Sequence, residues 1–144
     1  MTCPLCDKAT QIRAGLAPEF IAELSESYAI LGENQGCRAW VVLILKDHAD
    51  HLAALSQERQ LRLFADVSKV AGAQRALFGD VRINYECLGN VVSHIHWHVI
   101  PRHADDHAPR GAVWGWPPEV LRGTLTETDR AALRDRLRAE LRNA

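Results

Sequence analysis

Three histidines alternate with apolar residues in the segment SHIHWHVIPRH, residues 93–103. An imidazole with its ordinary pKa of about 6.5 can act as a nucleophile, a general acid or a hydrogen-bond donor near neutral pH. The spacing of His94, His96 and His98 is the period of a β-strand, which directs alternate side chains to one face. We therefore expect one side of a strand to carry all three rings.

Strand geometry excludes a single metal ion bound by all three imidazoles. At a rise of about 3.3 Å per residue, the first and last of them lie about 13 Å apart. A zinc ion holds its ligands at about 2.0–2.3 Å, so two neighbouring strand histidines can share it but three cannot. The alternative is that the three histidines have no chemical role and form the solvated face of a surface strand, where Thr, Lys or Glu is more usual. The histidines are thus expected to divide the work.

Periodicity and turn residues predict the elements that position this strand. ESYAIL (26–31) and CRAWVVLIL (37–45) flank the turn cluster GENQG, which indicates an antiparallel hairpin. Apolar residues three and four apart then indicate an amphipathic helix from Ser56 to Phe78, ended at Gly79.

Strand character returns over residues 81–89, and GNVVS forms a loop into the histidine strand, which Pro101 ends or marks as a sheet edge. A last helix has Thr126 as its N-cap, Asp129 three residues later and an apolar face of three leucines, Leu133, Leu137 and Leu141. The order strand–strand–helix–strand–strand–helix indicates an α+β fold with an antiparallel sheet, in a single domain over residues 1–144.

Charge and hydropathy restrict the partners. The formal net charge is −1, from 17 basic and 18 acidic residues, and no basic stripe is present, so nucleic acid is not expected as a partner. The N-terminus lacks a secretory pattern, and the longest apolar run, residues 39–45, is too short to span a bilayer. We expect a cytoplasmic protein without membrane association, whose cysteines stay reduced.

The four cysteines fall into two groups. Cys3 and Cys6 form a C-x-x-C pair, which in a reducing compartment indicates metal or redox chemistry. Cys37 and Cys87 stand alone in apolar stretches and are expected to be buried, inert thiols.

The segment HIHWHVI, together with its context, resembles the histidine triad (HIT) superfamily. WVVLILKDHADHLAALS looks like the second sheet strand of that family and the lysine–x–histidine segment after it. INYECLGNVVSHIHWHVIPRHADD is similar to a bacterial branch described as diadenosine tetraphosphate hydrolase-like. The resemblance is strongest over residues 24–116. Ser93 departs from the proline that the branch often has, and its hydroxyl could meet a phosphate oxygen or cap the strand.

The resemblance implies an α+β HIT-like fold, with an antiparallel sheet of about five strands, one long helix, a C-terminal helix and extension of the sheet by homodimerisation. It also implies cleavage at the α-phosphorus of a nucleoside phosphate, either a dinucleoside polyphosphate or a nucleoside phosphoramidate. His96 would be the nucleophile, with its other nitrogen held by a backbone carbonyl, and His98 would assist the leaving group. The implied substrate-binding residues are Asn84, Gly89, Asn90, Ser93 and His94.

These catalytic histidines require no cofactor, although a polyphosphate substrate could bring Mg²⁺. A nucleotide-binding regulator or adaptor of HIT fold with little turnover is the alternative function, and a zinc hydrolase is a third.

Zinc-containing relatives further imply a metal site. Its ligands here would be Cys3, Cys6, His48 and His94, with His51 as a substitute for His48. Without the metal, His94 would support the other two histidines through a hydrogen bond.

The polar segment after the histidine strand, RHADDHAPRGAVWGWPP, is expected to be irregular. Trp114 and Trp116 are expected to stack on a nucleobase or to close the dimer. His103 and His107 are expected to be solvated loop residues.

Overall fold

A computed structural model describes residues 2–144. Its five strands form one antiparallel sheet in the order β1-β2-β3-β5-β4. The strands are β1 (Phe20–Glu23), β2 (Ser27–Leu31), β3 (Val41–Leu45), β4 (Arg82–Glu86) and β5 (His96–Arg102). The helices are α1 (Pro4–Arg13), α2 (Gln57–Phe78), α3 (Pro118–Arg122) and α4 (Glu127–Arg142). The predicted α+β fold with a five-stranded antiparallel sheet is confirmed.

Helices α2 and α4 cover one face of the sheet and bury the main core. Helix α2 begins where the Ser56 hydroxyl accepts a hydrogen bond from the Arg59 N–H. Helix α4 begins where the Thr126 hydroxyl accepts one from the Asp129 N–H, as the sequence predicts. The core between these helices and the sheet contains Leu43, Leu63, Val70, Val99 and the three predicted α4 leucines.

The opposite face carries the histidines and has two partial covers. Helix α1 packs there through Ala9 and Ile12, against residues of β2 and β3. Further along the sheet, Val113 and Trp116 pack on Trp40 and Ile100. His96 lies opposite Ile44 and His98 opposite Val42, so the two histidines lie between these covers.

Several elements differ from those predicted. Helix α1 and strand β1 were not expected, because they have little periodicity of their own and are held by contacts with the sheet. Strand β3 begins at Val41 rather than at residue 37, since Ala39 has a positive φ of 67°. Strand β4 ends at Glu86, and β5 continues through Pro101 to its end at Arg102.

The histidine strand also begins later than expected. It starts at His96, and His94 lies just before it. None of the helices within residues 2–144 combines the length and apolar character needed to cross a membrane.

Candidate active site and metal centre

His96 is held in one tautomer by the backbone. Its Nδ1 lies 2.7 Å from the carbonyl oxygen of His94. Because a carbonyl only accepts, Nδ1 carries the proton and Nε2 keeps its lone pair. The backbone carbonyl contact that the resemblance implied is therefore present. The half-buried ring presents an unprotonated nitrogen on the open part of the sheet.

His98 is held in the opposite tautomer to His96. The indole Nε1–H of Trp40 donates to Nδ1 of His98 at 3.1 Å, so the proton of the His98 ring lies on Nε2. Burial, and after it the charge of the neighbouring His96, lowers the pKa of His98 to about 4. The His98 ring is therefore a neutral hydrogen-bond donor at physiological pH.

Trp114 closes the other side of His98. Its ring makes edge contacts with His98, at 5.0 Å between centroids, and with Trp40, at 5.4 Å. Its Nε1–H donates to the carboxylate of Glu86, the residue opposite His98 on β4. Trp114 stays 42% exposed, so one side of the indole remains accessible to a ligand.

A cavity of about 780 Å³ opens beside the two histidines. Its volume is in the range of small-molecule sites. The apolar part of its lining is formed by Leu5, Ile30, Leu31, Val42 and Leu125. The charged part is formed by Lys8, Glu19, Glu33, Arg122, Glu127, Arg130 and Arg134. Apart from the histidines, the sequence did not indicate this lining, because its members come from distant parts of the chain.

His94 faces away from the cavity and towards the N-terminus. Its ring is 1% exposed, and its Nε2–H donates to the carbonyl oxygen of Leu45 at 2.8 Å. Nδ1 of His94 therefore keeps a lone pair, and this nitrogen lies 3.4 Å from Sγ of Cys3 and 3.5 Å from Sγ of Cys6. Helix α1 starts at Pro4, so Cys6 lies in its first turn and Cys3 is its N-cap residue.

His48 completes this cluster. Its Nδ1 lies 3.4 Å from Sγ of Cys6, and its Nε2–H donates to Asp50 at 2.9 Å. The ligand atoms of all four residues, Cys3, Cys6, His48 and His94, lie within 4.8 Å of one another, so this group could bind a metal. Both imidazoles offer Nδ1 while Nε2–H is held by an oxygen, which is the usual arrangement of metal-binding histidines. The exposed His51 is outside the group.

The electrostatics of the two thiols suits a cation. Burial opposes ionisation of Cys3, but the hydrogen bond from the backbone of Cys6 and the contact with His94 lower its pKa to about 6. Burial and the neighbouring Cys3 thiolate raise the pKa of Cys6. A divalent cation would remove this conflict, because both sulfurs could then ionise as ligands.

The remaining predicted site residues lie around the histidines. Asn84 shares their face of the sheet and lies opposite Ile100, with its Oδ1 accepting from Arg102 at 2.8 Å. Gly89 has a φ of 70° in the loop before β5, a conformation that glycine tolerates. Asn90 is exposed in the same loop. The Ser93 hydroxyl donates to Asp50 at 2.9 Å, so this residue belongs with the His48 contact.

Three expectations about other side chains are wrong. His103 is not solvated: it is 7% exposed, and its Nε2 lies 3.1 Å from the carbonyl oxygen of Arg38. Trp116 is 6% exposed, because it packs with Trp40 and Ile100 on the sheet, and it cannot stack on a ligand in that position. Cys87 is only partly buried, whereas Cys37 is buried and the pKa of its thiol is raised to about 12, chiefly by burial.

Sequence reasoning missed two residues that contact the candidate site. Trp40 was assigned to a strand without a partner, and Asp50 was not singled out. Alternation along β3 places Trp40 on the side of Val42 and hence of His98, but which of its atoms meets the imidazole depends on the fold.

Residues 16–105 match the model of the HIT domain family, so the chain belongs to this family. Membership implies a nucleotide-binding or hydrolase-type function. No curated protein is a significant match to the sequence.

Solved structures of HIT proteins share the fold. A histidine triad protein from Marinobacter aquaeolei VT8 has 28% identity and a TM-score of 0.75, over 90% of this chain and 94% of that one. One from Sinorhizobium meliloti 1021 has 23% identity and the same TM-score of 0.75, over 88% and 93%. A zinc-bound histidine triad family protein from Mycobacterium smegmatis has 26% identity and a TM-score of 0.68, over 99% and 95%.

Proposed function

We propose that the protein is a hydrolase or nucleotidyl transferase that cleaves nucleoside phosphates at the α-phosphorus through a covalent nucleotidyl intermediate on His96. The observation that carries this proposal is the hydrogen bond from His96 Nδ1–H to the His94 carbonyl, which leaves Nε2 free beside a ligand-sized cavity. Dinucleoside polyphosphates and nucleoside phosphoramidates are the candidate substrates.

The reaction would proceed in two displacements. Nε2 of His96 bonds to the α-phosphorus while the bond to the leaving group breaks, and the electron pair of that bond leaves with the departing atom. Water then attacks phosphorus, the P–N bond breaks, its electrons return to Nε2, and the proton of the water passes to solvent or product. The His98 Nε2–H would donate a hydrogen bond to the developing negative charge.

The phosphate would also need donors from the neighbouring loop and strand. Gly89 and Asn90 lie in the loop before β5, where backbone N–H groups can approach an anion. Asn84 Oδ1 accepts a hydrogen bond from Arg102, and the side-chain NH₂ group of Asn84 is the donor that could meet a phosphate oxygen. If the substrate carries a polyphosphate chain, Mg²⁺ would arrive with it, since the histidines themselves require no cation.

The test is transfer of label from a nucleotide to His96. We expect wild-type protein to release AMP from a diadenosine polyphosphate and to retain radioactive label after rapid denaturation. His96→Ala should bind AMP but neither release it from substrate nor retain label, whereas His107→Ala, at an exposed histidine, should behave as wild type. Binding of AMP without turnover of any nucleotidyl substrate by the wild type would instead support the regulator or adaptor.

We further propose that Cys3, Cys6, His48 and His94 hold a structural zinc ion. Four protein ligands form a closed set, which is typical of structural rather than catalytic zinc. The zinc-bound relative from Mycobacterium smegmatis supports the choice of metal. The ion would fasten the start of helix α1 to His94, two residues before β5.

Metal analysis separates this proposal from a zinc hydrolase. We expect about one zinc per chain in wild type and in His51→Ala, and loss of zinc with a lower melting temperature in Cys6→Ser. If chelation instead removes activity reversibly while the melting temperature is unchanged, zinc takes part in the chemistry.

A homodimer is also proposed. Strand β4 is at the edge of the sheet, and an unpaired edge invites pairing with another chain. Large apolar side chains are exposed nearby on α2 and around β4, namely Leu61, Phe64, Tyr85 and Leu88. Sedimentation at micromolar concentration should show a dimer for wild type and a monomer for Phe64→Glu. A monomeric wild type would contradict the proposal.

A further inference from the structure

The hydrogen bond between Trp40 and His98 limits what His98 can do for a leaving group. An indole N–H can donate but cannot accept, so Nδ1 of His98 must be the acceptor. A second proton could enter the ring only at Nδ1, where it would face the Trp40 N–H at a nitrogen–nitrogen separation of 3.1 Å. His98 can therefore become an imidazolium only if this contact breaks.

The fold prevents Trp40 from turning away. Its ring is 1% exposed, and it follows Ala39, whose positive φ is held by two buried glutamines. The Gln35 side chain accepts from the Ala39 N–H and donates to the Trp40 carbonyl, each at 2.9 Å. The Gln74 side chain donates to the Ala39 carbonyl at 2.8 Å. Hydrogen bonds to the backbone groups of Ala39 and Trp40 therefore fix the main chain that carries the indole.

No other group around His98 replaces this contact. His96 lies 5.2 Å away between ring centroids, and Trp114 covers the ring at 5.0 Å. Glu86, opposite on β4, is engaged by Trp114 Nε1. Within residues 2–144, Trp40 is the residue that hydrogen-bonds the His98 ring.

The consequence depends on how the scissile bond breaks. When a P–O bond to a phosphate chain breaks, the electron pair stays on an oxygen that is stable as an anion and needs only a hydrogen bond. When a P–N bond breaks, the nitrogen must gain a proton as it leaves, because an amide anion is not stable in water. A neutral His98 could supply that proton only by becoming an imidazolate, which is a much less favourable step.

We propose that Trp40 is a positioning residue that restricts this site to phosphoanhydrides, whose leaving group departs as an anion, and disfavours phosphoramidates. This inference rests on the proposed function and selects between its two substrate classes.

The first test compares two substrates with the same nucleoside. For wild type, we expect kcat/KM for diadenosine tetraphosphate to exceed that for adenosine 5′-phosphoramidate by at least about 100-fold, since proton transfer by a general acid contributes about 10²–10⁴-fold. Equal or faster cleavage of the phosphoramidate overturns the inference but leaves the proposed function standing. No turnover of either substrate, with no label on His96, overturns both.

Variants then test whether Trp40 sets the preference. Trp40→Phe removes the indole N–H and frees Nδ1 of His98 for a proton. Trp40→His places an imidazole there, which can accept a hydrogen bond as well as donate one. Both should narrow the ratio of the two kcat/KM values by about tenfold or more. Trp116→Phe is the matched control, because that buried indole lies in the same cluster and its N–H has no partner within the described residues. An unchanged ratio in Trp40→Phe overturns the inference.

A measurement on the wild type removes dependence on how well the variants fold. In ¹⁵N-labelled protein, His98 should show an unprotonated Nδ1 and a protonated Nε2 from pH 8 down to pH 5. The opposite tautomer, or titration of the ring within that interval, would overturn the inference.

Discussion

The buried ion pair between Arg102 and Asp106 makes the most quantitative prediction. Arg102 Nε lies 2.9 Å from Asp106 Oδ2, and the two side chains are 5% and 3% exposed. The guanidinium also donates to Asn84 Oδ1 and to the carbonyl oxygens of Ala108 and Gly111. These contacts close the segment that leads from β5 to Trp114.

Replacing Asp106 by alanine leaves the guanidinium buried without its anion. Removing one partner of a buried pair costs about 3–5 kcal/mol. Since three uncharged acceptors remain, we expect the lower end, about 3 kcal/mol. For a chain of this size each kcal/mol lowers the melting temperature by about 2–4 °C, so Asp106→Ala should melt about 6–12 °C below wild type.

Scanning calorimetry and urea unfolding at pH 7 measure this cost. Asp80→Ala is the control, because the Arg75–Asp80 pair is exposed, at 57% and 97%, and should contribute less than about 1 kcal/mol. The double variant Arg102→Met, Asp106→Leu should lose less stability than Asp106→Ala, since no charge is left unpaired. If Asp106→Ala melts within about 3 °C of wild type, the pair does not hold the segment and the reasoning is refuted.

Two further predictions concern stability. The pKa of His98 is about 4 in the folded protein and about 6.5 when unfolded, so between these pH values only the unfolded state binds the proton. The free energy of unfolding should therefore fall by about 2 kcal/mol as pH drops from 6.5 to 4. Urea unfolding measures this pH dependence, which should be smaller in His98→Asn. A Cβ at Gly36 would lie 2.2 Å from the Val120 carbonyl oxygen, so Gly36→Ala should be strongly destabilised. A Cβ at Gly72 in α2 would meet nothing within 4 Å, so Gly72→Ala should gain about 0.5–1 kcal/mol of stability. The opposite order of melting temperatures would contradict this prediction.

Elements with a complete local pattern could be predicted from sequence. Helix α2 has its cap at Ser56, its apolar spacing and its stop at Gly79 within one continuous stretch. The β2–β3 hairpin likewise has two apolar runs around a turn cluster. The four residues that could bind a metal were predicted together because the resemblance supplied His48 and His94, which local pattern alone could not connect with Cys3 and Cys6.

Elements and contacts that depend on distant partners could not be predicted. Strand β1 has four residues and is defined by its pairing with β2. Helix α1 buries only Ala9 and Ile12, and the thiols of its N-cap residue and first turn meet His94, far along the chain. His103 lies in a polar stretch typical of a loop, but its partner is the carbonyl of Arg38, 65 residues earlier. Polarity predicts solvation only where no distant acceptor is available.

The three histidine rings are oriented differently because a different group fixes each of them. Leu45 holds Nε2 of His94 and directs Nδ1 to the thiols, whereas Trp40 holds Nδ1 of His98. His96 is held by the carbonyl of His94 itself, so the residue proposed as a metal ligand also orients the proposed nucleophile. A metal bound at His94 would limit movement of that peptide unit and hence of the His96 ring. Loss of the metal should therefore reduce formation of the nucleotidyl intermediate even though the ion never contacts the phosphate, and labelling of zinc-free wild type at the wild-type rate would disprove this link.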